Sequence, residues 1–241
     1  MIFILSGAGL SAESGIKTFR DHDGLWENFD VMEVCSTEGW QKDRQKVTDF
    51  YNARRADLAS KKPNAAHIAL ADLEKRYGKR IFHATQNVDN LLEQAGCQEV
   101  VHLHGTLTDL RCETCGEVFS VGYRSQESGD TCPACGSDDL RHNVVMFGEA
   151  VPHYRLIAPA LSNCDLFVAI GTSGQVLNIA SFAQSAVASL YLNPKREPYI
   201  TGFGDHGRMI DSYFTHTVLK TATEGMAETI TTIEDYLKKS A

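Results

Sequence analysis

Short apolar runs recur along the chain, and each one ends in small or polar residues. The first covers residues 1–5 and leads directly into Ser6-Gly7-Ala8-Gly9, which is typical of a buried strand followed by a tight turn. Four later runs share this design, at residues 80–85, 99–104, 166–170 and 189–192. Because the carboxyl ends of parallel strands meet at one edge of a sheet, we expect the residues after these runs to line a ligand site.

Segments between the runs have the spacing of amphipathic helices. Apolar side chains at positions 47, 50, 51 and 58 predict a helix that presents Tyr51 and Arg54 on one face. Residues 64–77 predict a second helix, after Pro63 and before Gly78, and residues 226–237 predict a terminal one. The alternation of strands and helices predicts an α/β fold with a Rossmann-like parallel sheet.

Two stretches interrupt this alternation. Residues 111–142 are rich in Cys, Gly and Ser, which predicts a small zinc-ribbon-like module stabilised by something other than a hydrophobic core. Residues 28–78 separate the first strand from the second and predict a helical insert. The two inserts together would form a small domain, and residues 1–27, 79–110 and 143–241 would form the Rossmann-like domain.

Four cysteines in the first of these stretches have the spacing of a zinc site. Cys112 and Cys115 form one Cys-x-x-Cys pair, and Cys132 and Cys135 form another after sixteen intervening residues. Four thiolates fill a tetrahedral coordination sphere and leave no position for water, so we predict one structural Zn²⁺ per chain. A redox-active cysteine pair is the alternative.

The composition narrows the classes of function. A formal net charge of −8 disfavours direct binding to nucleic acid or to an anionic membrane surface. No apolar stretch approaches the length of a membrane span, and seven cysteines are an odd number that argues against a complete disulfide framework. We therefore predict a cytoplasmic protein that binds neither membranes nor nucleic acid directly. We also expect a monomer.

The turn after the first run fits the pattern G-x-G-x-x-G/A from Gly7 to Ala12, which lets the backbone approach a pyrophosphate. In a dinucleotide-binding dehydrogenase, an acidic residue about twenty positions later ends the second strand and binds ribose. Glu27 stands at that distance, but the second strand begins only near Arg80. Hydride-transfer chemistry is therefore disfavoured.

Polar side chains follow the second and third runs. Asn87 and Asp89 have the chemistry to orient a ribose or a carboxamide, and His104 has that of a general base. The alternative for each of them is an ordinary hydrogen-bonded loop residue. His102 and His67 are expected to make structural hydrogen bonds.

Taken together, these motifs resemble the signature of the sirtuins, the NAD-dependent protein-lysine deacylases. The matching blocks, in chain order, are GAGLSAESGIKTFR at 7–20, TQNVDN at 85–90, HLHG at 102–105, the four cysteines, VMFGE at 145–149 and GTS at 171–173. They extend over most of the chain. Lys17 stands where many sirtuins have proline, and the chain beyond Asn193 is divergent.

The resemblance implies that NAD lies between the Rossmann-like domain and the small domain. It implies pyrophosphate contacts at the glycine turn, and Phe19 as a cover over the reactive ribose carbon. Asn87 and Asp89 would bind the nicotinamide ribose and carboxamide. The implied NAD-binding residues are Gly7, Ala8, Gly9, Glu13, Ser14, Gly15, Thr18, Phe19, Arg20, Gln86, Asn87, Val88, Asp89, Gly171, Thr172, Ser173, Asn193 and Ala222.

The resemblance also implies the chemistry. The amide oxygen of an acyl-lysine attacks ribose C1′, nicotinamide leaves, and His104 then acts as general base on a ribose hydroxyl, with Asn87 and Asp89 as the other catalytic residues. The products are free lysine and O-acyl-ADP-ribose. The peptide would add as a strand and contact Val145, Phe147, Gly148, Glu149 and Val176.

Tyr51-x-x-Arg54, together with Thr18 and Ala12, resembles the sirtuin class that prefers negatively charged acyl groups. A guanidinium can hold the terminal carboxylate of a succinyl or malonyl group with two hydrogen bonds, and a phenol adds a third. We expect a desuccinylase or demalonylase with weaker deacetylase activity. The alternative functions are a plain deacetylase, a protein ADP-ribosyltransferase and a non-catalytic NAD-binding module. The alternative for the helix is an ordinary amphipathic one, with Arg54 in solvent and Tyr51 packed in the core.

Overall fold

The computed structural model describes residues 1–17, 30–201 and 204–239. Thr18, Phe19, Arg20 and Glu27 lie outside the described residues. The strands are β1 (Ile2–Ser6), β2 (Ile81–Thr85), β3 (Val100–His102), β4 (Gly105–Cys112), β5 (Val118–Ser120), β6 (Leu140–Val144), β7 (Leu166–Ile170), β8 (Ser189–Leu192), β9 (Pro198–Thr201), β10 (Gly204–Met209) and β11 (His216–Val218). The helices are α1 (Val31–Cys35), α2 (Thr37–Lys42), α3 (Arg44–Leu58), α4 (Ala65–Tyr77), α5 (Leu91–Ala95), α6 (Ile157–Ser162), α7 (Ile179–Ser185) and α8 (Ala222–Lys239). Among the described residues, no helix combines the length and the apolar character that crossing a membrane requires.

The central sheet has six strands in the order β11-β8-β7-β1-β2-β3. Every strand pairing in it is parallel, and five of its strands are the predicted apolar runs. β1 lies between β7 and β2 and is buried at each of its five positions, which explains its uninterrupted apolar sequence. The prediction of an α/β fold with a Rossmann-like parallel sheet is confirmed.

Successive side chains of the sheet enter two apolar layers, because a strand alternates its side chains between its two faces. Ile2 and Ile4 pack in the layer that includes side chains of α4 and α8. Phe3 and Leu5 pack in the opposite layer, with side chains of α6 and α7. Both faces of the sheet are therefore covered, and its carboxyl edge is left for a site.

The predicted helix at residues 64–77 is α4, and its ends follow the sequence. Asn64 caps its first turn, with a side-chain oxygen that accepts a hydrogen bond from the Ala66 N–H at 2.9 Å. Gly78 follows its last residue and has a φ of +54°, a conformation that favours glycine. The predicted face of α3 and the predicted terminal helix α8 also form.

The sequence patterns did not reveal β11, the β9–β10 hairpin or the antiparallel sheet β5-β4-β6. β11 has only three residues, and His216 and Thr217 are exposed, so no apolar run marks it. The β5-β4-β6 sheet spans Gly105 to Val144 and carries a small core of its own around Leu110 and Leu140. The division of the chain into domains at the predicted boundaries stays a prediction.

Helices α1, α2 and α3 share a third apolar core with strands β4 and β6 of the antiparallel sheet. Phe50 and Tyr51 of α3 pack there with Leu107 of β4 and Val144 of β6. Arg55, also on α3, is fully buried, and its guanidinium donates hydrogen bonds to the carbonyl oxygens of Leu107, of Asp109 at 3.2 Å and of Arg124 at 3.0 Å. Arg55 therefore fixes α3 against the antiparallel sheet.

Replacing Arg55 by Met should lower the free energy of unfolding by roughly 3 kcal/mol, because three carbonyl oxygens lose a charged donor while the volume is nearly kept. Urea unfolding followed by circular dichroism measures the change. Arg44→Met on the same helix is the control, because Arg44 is exposed and its contacts, an ion pair with Asp139 and a cation–π contact with the Trp40 ring, lie at the surface. Equal stability of the two variants would contradict the structural role of Arg55.

Candidate active site

A cleft of about 1310 Å³ opens at the carboxyl edge of the parallel sheet, beside α3 and the loop after β6. It brings together most of the side chains singled out from the sequence. Those that border it are Gly7, Ala8, Gly9, Ala12, Glu13, Gly15, Tyr51, Arg54, Gln86, Asn87, Val88, Asp89, His104, Val145, Phe147, Gly148, Glu149, Gly171, Thr172, Ser173, Val176 and Asn193.

Two predicted NAD contacts, Ser14 and Ala222, are not among the described residues that border the cleft. Ala222 is the first residue of α8 and is 4% exposed, because it packs in the apolar layer beneath the sheet. Its neighbour Thr221 borders the cleft instead. Ser14 ends a short 3₁₀ helix, and its Oγ is buried rather than facing the cleft.

The glycine turn packs tightly against the end of β7. The N–H of Gly7 donates to the Ile170 carbonyl and that of Gly9 to the Gly171 carbonyl, each at 2.9 Å. A Cβ on Gly9 would lie 2.7 Å from the Gly171 Cα, so no larger residue fits. These two hydrogen bonds hold the turn in place. Because glycine has no Cβ, the backbone of the turn can approach the backbone after β7 closely at the floor of the cleft.

Glu13 joins the same turn to α8. Its carboxylate accepts hydrogen bonds from the backbone N–H of Thr223 at 2.9 Å and from the Thr221 hydroxyl at 3.1 Å. Burial raises the pKa of Glu13, but the hydrogen bonds from Thr223 and Thr221 outweigh it and leave the pKa below its usual value. The carboxylate is thus charged, and it stabilises the amino-terminal end of α8.

Ser11 organises the polar side chains beside the turn. Its hydroxyl donates to Asp89 Oδ2 at 2.9 Å and accepts from the Asn87 side-chain amide at 3.0 Å. Asp89 is 7% exposed, and burial raises the pKa of its carboxyl group. This network joins the ends of β1 and β2 and fixes the Asn87 side chain at the cleft.

His67 and His102 make the structural hydrogen bonds that we expected. His67 Nδ1 accepts from the Asn64 N–H at 3.3 Å, and its Nε2 lies 3.3 Å from the Ser11 hydroxyl. Burial lowers the pKa of His67 to about 4, so its ring is neutral. His102 contacts the Asn87 carbonyl through Nδ1 at 3.0 Å and the Glu93 carboxylate through Nε2 at 2.7 Å.

His104 borders the cleft just beyond the end of β3. Its Nδ1 lies 3.0 Å from the carbonyl oxygen of Gln86, and because a carbonyl only accepts, Nδ1 carries the proton. Nε2 is then left with a lone pair. Burial lowers the pKa of His104 below its ordinary value, so the ring is neutral at pH 7 and can accept a proton.

Tyr51 and Arg54 lie at the α3 side of the cleft. The Tyr51 ring is 1% exposed and stacks on His142 with the ring centres 5.3 Å apart, which fixes its position. Its hydroxyl lies 3.5 Å from the Cys35 sulfur, and burial raises the Tyr51 pKa well above its usual value, so the phenol remains a donor. Arg54 borders the same part of the cleft, with its guanidinium 5.8 Å from the centre of the Phe50 ring.

The segment after β6 forms another wall of the cleft. Phe147 pairs with the backbone beside Ser36, through its N–H to the Cys35 carbonyl at 2.8 Å. Glu149 accepts from the Met146 N–H at 2.8 Å and forms an ion pair with the buried Arg141. These contacts fix the backbone of the segment, while the side chains of Phe147 and Val176 are exposed at the mouth of the cleft.

The four cysteines of the antiparallel sheet converge as predicted. Cys112 Sγ lies 3.7 Å from Cys135 Sγ, and Cys115 Sγ lies 3.6 Å from Cys132 Sγ. These separations are too long for disulfides and match the roughly 3.8 Å between thiolates around a tetrahedral zinc ion with Zn–S bonds of 2.3 Å. The donor set and its geometry therefore fit Zn²⁺.

Chelation of this metal should unfold the antiparallel sheet and leave the parallel sheet folded. The core of β5-β4-β6 is small and contains two of the cysteines, whereas the two large apolar layers lie elsewhere. Hydrogen exchange followed by mass spectrometry should show loss of protection in β4 and β6 and retained protection in β1 and β7. Unchanged protection throughout the chelated protein would contradict a structural metal.

The Sir2 family model matches residues 7–178. The chain belongs to the Sir2 family. A protein from Campylobacter jejuni named NAD-dependent protein deacylase is 54% identical over 189 residues, which cover 78% of this chain and 81% of the relative. A Caulobacter vibrioides protein of the same name is 45% identical, over 83% of this chain and 87% of the relative. The recognition of a sirtuin from the sequence motifs is thus confirmed.

Solved structures of Sir2 homologues share the fold. A Sir2 homologue–NAD complex superposes with a TM-score of 0.82 at 33% identity, and the match covers 98% of this chain and 90% of that chain. A mutant Sir2 homologue in complex with ADP-ribose also gives a TM-score of 0.82, at 32% identity, with 98% and 93% coverage.

Several side chains at the cleft were not found from the sequence. Ser11 lies within the glycine motif, so its position in the pattern was a usable signal. Cys35 and Lys61 also border the cleft, but neither belongs to a motif, and only the packing of α1 and α3 places them there.

Proposed function

We propose that this protein is an NAD-dependent protein-lysine deacylase that prefers acyl groups ending in a carboxylate, with weaker activity on acetyl-lysine. The deacylase activity follows from membership of the Sir2 family and from relatives of that name at up to 54% identity. The preference rests on one observation: a buried phenol, Tyr51, and a guanidinium, Arg54, border the same cleft as the neutral His104.

NAD would occupy the part of the cleft next to the sheet edge. The glycine turn would allow close approach of its pyrophosphate, Ser173 and Asn193 would contact the adenosine side, and Asn87 and Asp89 would hold the nicotinamide end. When bound, NAD supplies an electrophilic ribose carbon from which nicotinamide leaves. The solved Sir2 homologue–NAD complex, which shares the fold over 98% of this chain, supports the assignment.

His104 is the general base of the reaction. Its hydrogen bond to the Gln86 carbonyl fixes the ring and the tautomer, so that the unprotonated Nε2 is free to take a proton from a ribose hydroxyl. Ser11 orients Asn87 and Asp89 through a hydrogen bond to each side chain. The side chains that act in the reaction are therefore organised before substrate binds.

The acyl group would extend toward α3. Arg54 can form a bidentate pair with a terminal carboxylate, and Tyr51 can turn its hydroxyl from the weak sulfur acceptor of Cys35 to a carboxylate oxygen. An acetyl group has no terminal carboxylate to pair with these donors. The pair therefore favours succinyl and malonyl groups over acetyl.

The acyl-lysine peptide would bind across the mouth of the cleft as an extended strand. Val145, Phe147, Gly148, Glu149 and Val176 border this opening. The backbone of residues 145–149 is fixed by Cys35 and Arg141, which gives an incoming strand a rigid partner. The same proposal includes one structural Zn²⁺ at the four clustered cysteines. It also includes a monomeric, cytoplasmic protein that does not bind nucleic acid directly.

Mass spectrometry of matched acetyl-lysine and succinyl-lysine peptides, incubated with and without NAD, tests the proposal. We expect faster NAD-dependent loss of succinyl than of acetyl, with O-succinyl-ADP-ribose as the co-product. Faster loss of acetyl would make the protein a plain deacetylase and contradict the pocket. Transfer of labelled ADP-ribose to protein, with neither peptide deacylated, would contradict the deacylase reaction and favour an ADP-ribosyltransferase.

A further inference from the structure

A second group of metal-binding side chains lies apart from the four clustered cysteines. Glu74 of α4, His83 of β2 and Cys97 after α5 place a carboxylate oxygen, an imidazole nitrogen and a thiol sulfur within 4.8 Å of one another. The cleft, as its described residues define it, includes none of the three. This group therefore has no part in the proposed deacylation.

Two polar atoms of the group are buried and have no hydrogen-bond partner among the described residues: His83 Nε2 and Glu74 Oε2. They are 3.6 Å apart, which is longer than a hydrogen bond, and the His83 side chain is 2% exposed. The other carboxylate oxygen, Glu74 Oε1, accepts from the Gln98 N–H at 3.0 Å. Unpartnered buried atoms are costly and rare, so the pair calls for a ligand between them.

The three side chains are held by rigid elements. His83 lies within β2, in register with Ile4 of β1 and Val100 of β3. Cys97 is held in its turn by its N–H, which donates to the Leu92 carbonyl at 3.0 Å. Around a tetrahedral zinc ion, nitrogen, oxygen and sulfur ligands lie about 3.3–3.8 Å apart, so the His83–Glu74 separation already fits and the Cys97 sulfur has to move by about 1 Å at most.

The charges of the group suit a divalent cation. Burial lowers the pKa of His83 to about 4, so its imidazole is neutral at pH 7, as a metal ligand must be. A neutral imidazole, a thiolate and a carboxylate together carry two negative charges, which a divalent ion cancels. The buried site would then be neutral overall, which removes the cost of an uncompensated buried carboxylate.

We propose that Glu74, His83 and Cys97 form a second Zn²⁺ site, with water as the fourth ligand. Mixed nitrogen, sulfur and oxygen donors are those that zinc accepts, whereas Ca²⁺ and Mg²⁺ prefer oxygen alone. The ion links α4, β2 and the turn after α5, and displaces one proton from the Cys97 thiol. Its role is structural, because the site is buried on the side of the sheet that α4 covers.

Zinc content of the full chain tests this. The protein is saturated with Zn²⁺ and freed of excess metal by gel filtration. The number of zinc ions per chain is then measured by elemental mass spectrometry. We expect about two zinc ions per wild-type chain and about one in Cys97→Ser and in His83→Gln. Cys164→Ser is the matched control and should keep both, because Cys164 is buried in the opposite apolar layer and its thiol contacts the Leu161 carbonyl.

Two outcomes overturn the proposal: one zinc ion in the wild type, or two in both cluster variants. Should a variant fail to fold, titration of the metal-free wild type with Co²⁺ decides instead. Two equivalents should bind with different spectra, one with the intense sulfur-to-cobalt bands of four thiolates and one with the weaker bands of a single thiolate. Saturation at one equivalent, with only the four-thiolate spectrum, overturns the second site.

Discussion

Replacing His104 by Ala should lower the rate of deacylation at least about 100-fold with every acyl-lysine peptide. The ring is neutral, hydrogen-bonded to the Gln86 carbonyl through Nδ1, and leaves Nε2 as the proton acceptor at the cleft. Alanine removes this acceptor without disturbing a packed core. Steady-state kinetics with succinyl and acetyl peptides would show the loss in kcat for both.

The pH profile gives an independent check of the same group. Burial lowers the pKa of His104 below 6.5, the ordinary value for histidine. The midpoint of the acid limb of kcat/KM in the wild type should therefore lie below pH 6.5. His216→Ala is the control and should leave the rate unchanged, because His216 is exposed on β11, contacts Tyr236 and is not among the described residues that border the cleft. Retained activity in His104→Ala would rule out a role as the general base.

Replacing Arg54 by Met should lower kcat/KM for succinyl peptides about 100-fold and change that for acetyl peptides by less than about threefold. Hydrogen bonds to a charged group contribute about 1.5–3 kcal/mol each, and a factor of ten corresponds to 1.4 kcal/mol. Only a substrate that ends in a carboxylate uses the guanidinium, so only that substrate should lose affinity. Matched peptides in one competition assay would give the ratio directly.

Arg44→Met controls for a general effect on α3, because it removes a cation from the same helix outside the cleft. Tyr51→Phe should act in the same direction as Arg54→Met but more weakly, since it removes one neutral donor and keeps the stacked ring. Equal losses for succinyl and acetyl peptides in Arg54→Met would show that the guanidinium shapes the cleft rather than selecting the acyl group.

Elements with a strong local pattern were predictable from the sequence. β1 and β7 are continuous apolar runs because both faces of each strand are buried, and α3 repeats its apolar positions at the helical period. The four cysteines could be assigned to one site because their pairs sit on short knuckles, where spacing along the chain sets distance in space. β11 and the β9–β10 hairpin lack such a pattern, and their pairing depends on the sheet and turn beside them.

Sequence patterns were sufficient to predict the class of the fold, the family, the clustering of the four cysteines and most of the residues that border the cleft. Which distant residues meet was visible only in the folded chain. Ser11 joins Asn87 and Asp89, Arg55 is fully buried, and Glu74 faces His83 and Cys97. The spacing of apolar residues in a short stretch reflects which face of one helix or strand is buried. The contacts named above depend instead on how separate elements pack against one another, so no short stretch of sequence predicts them.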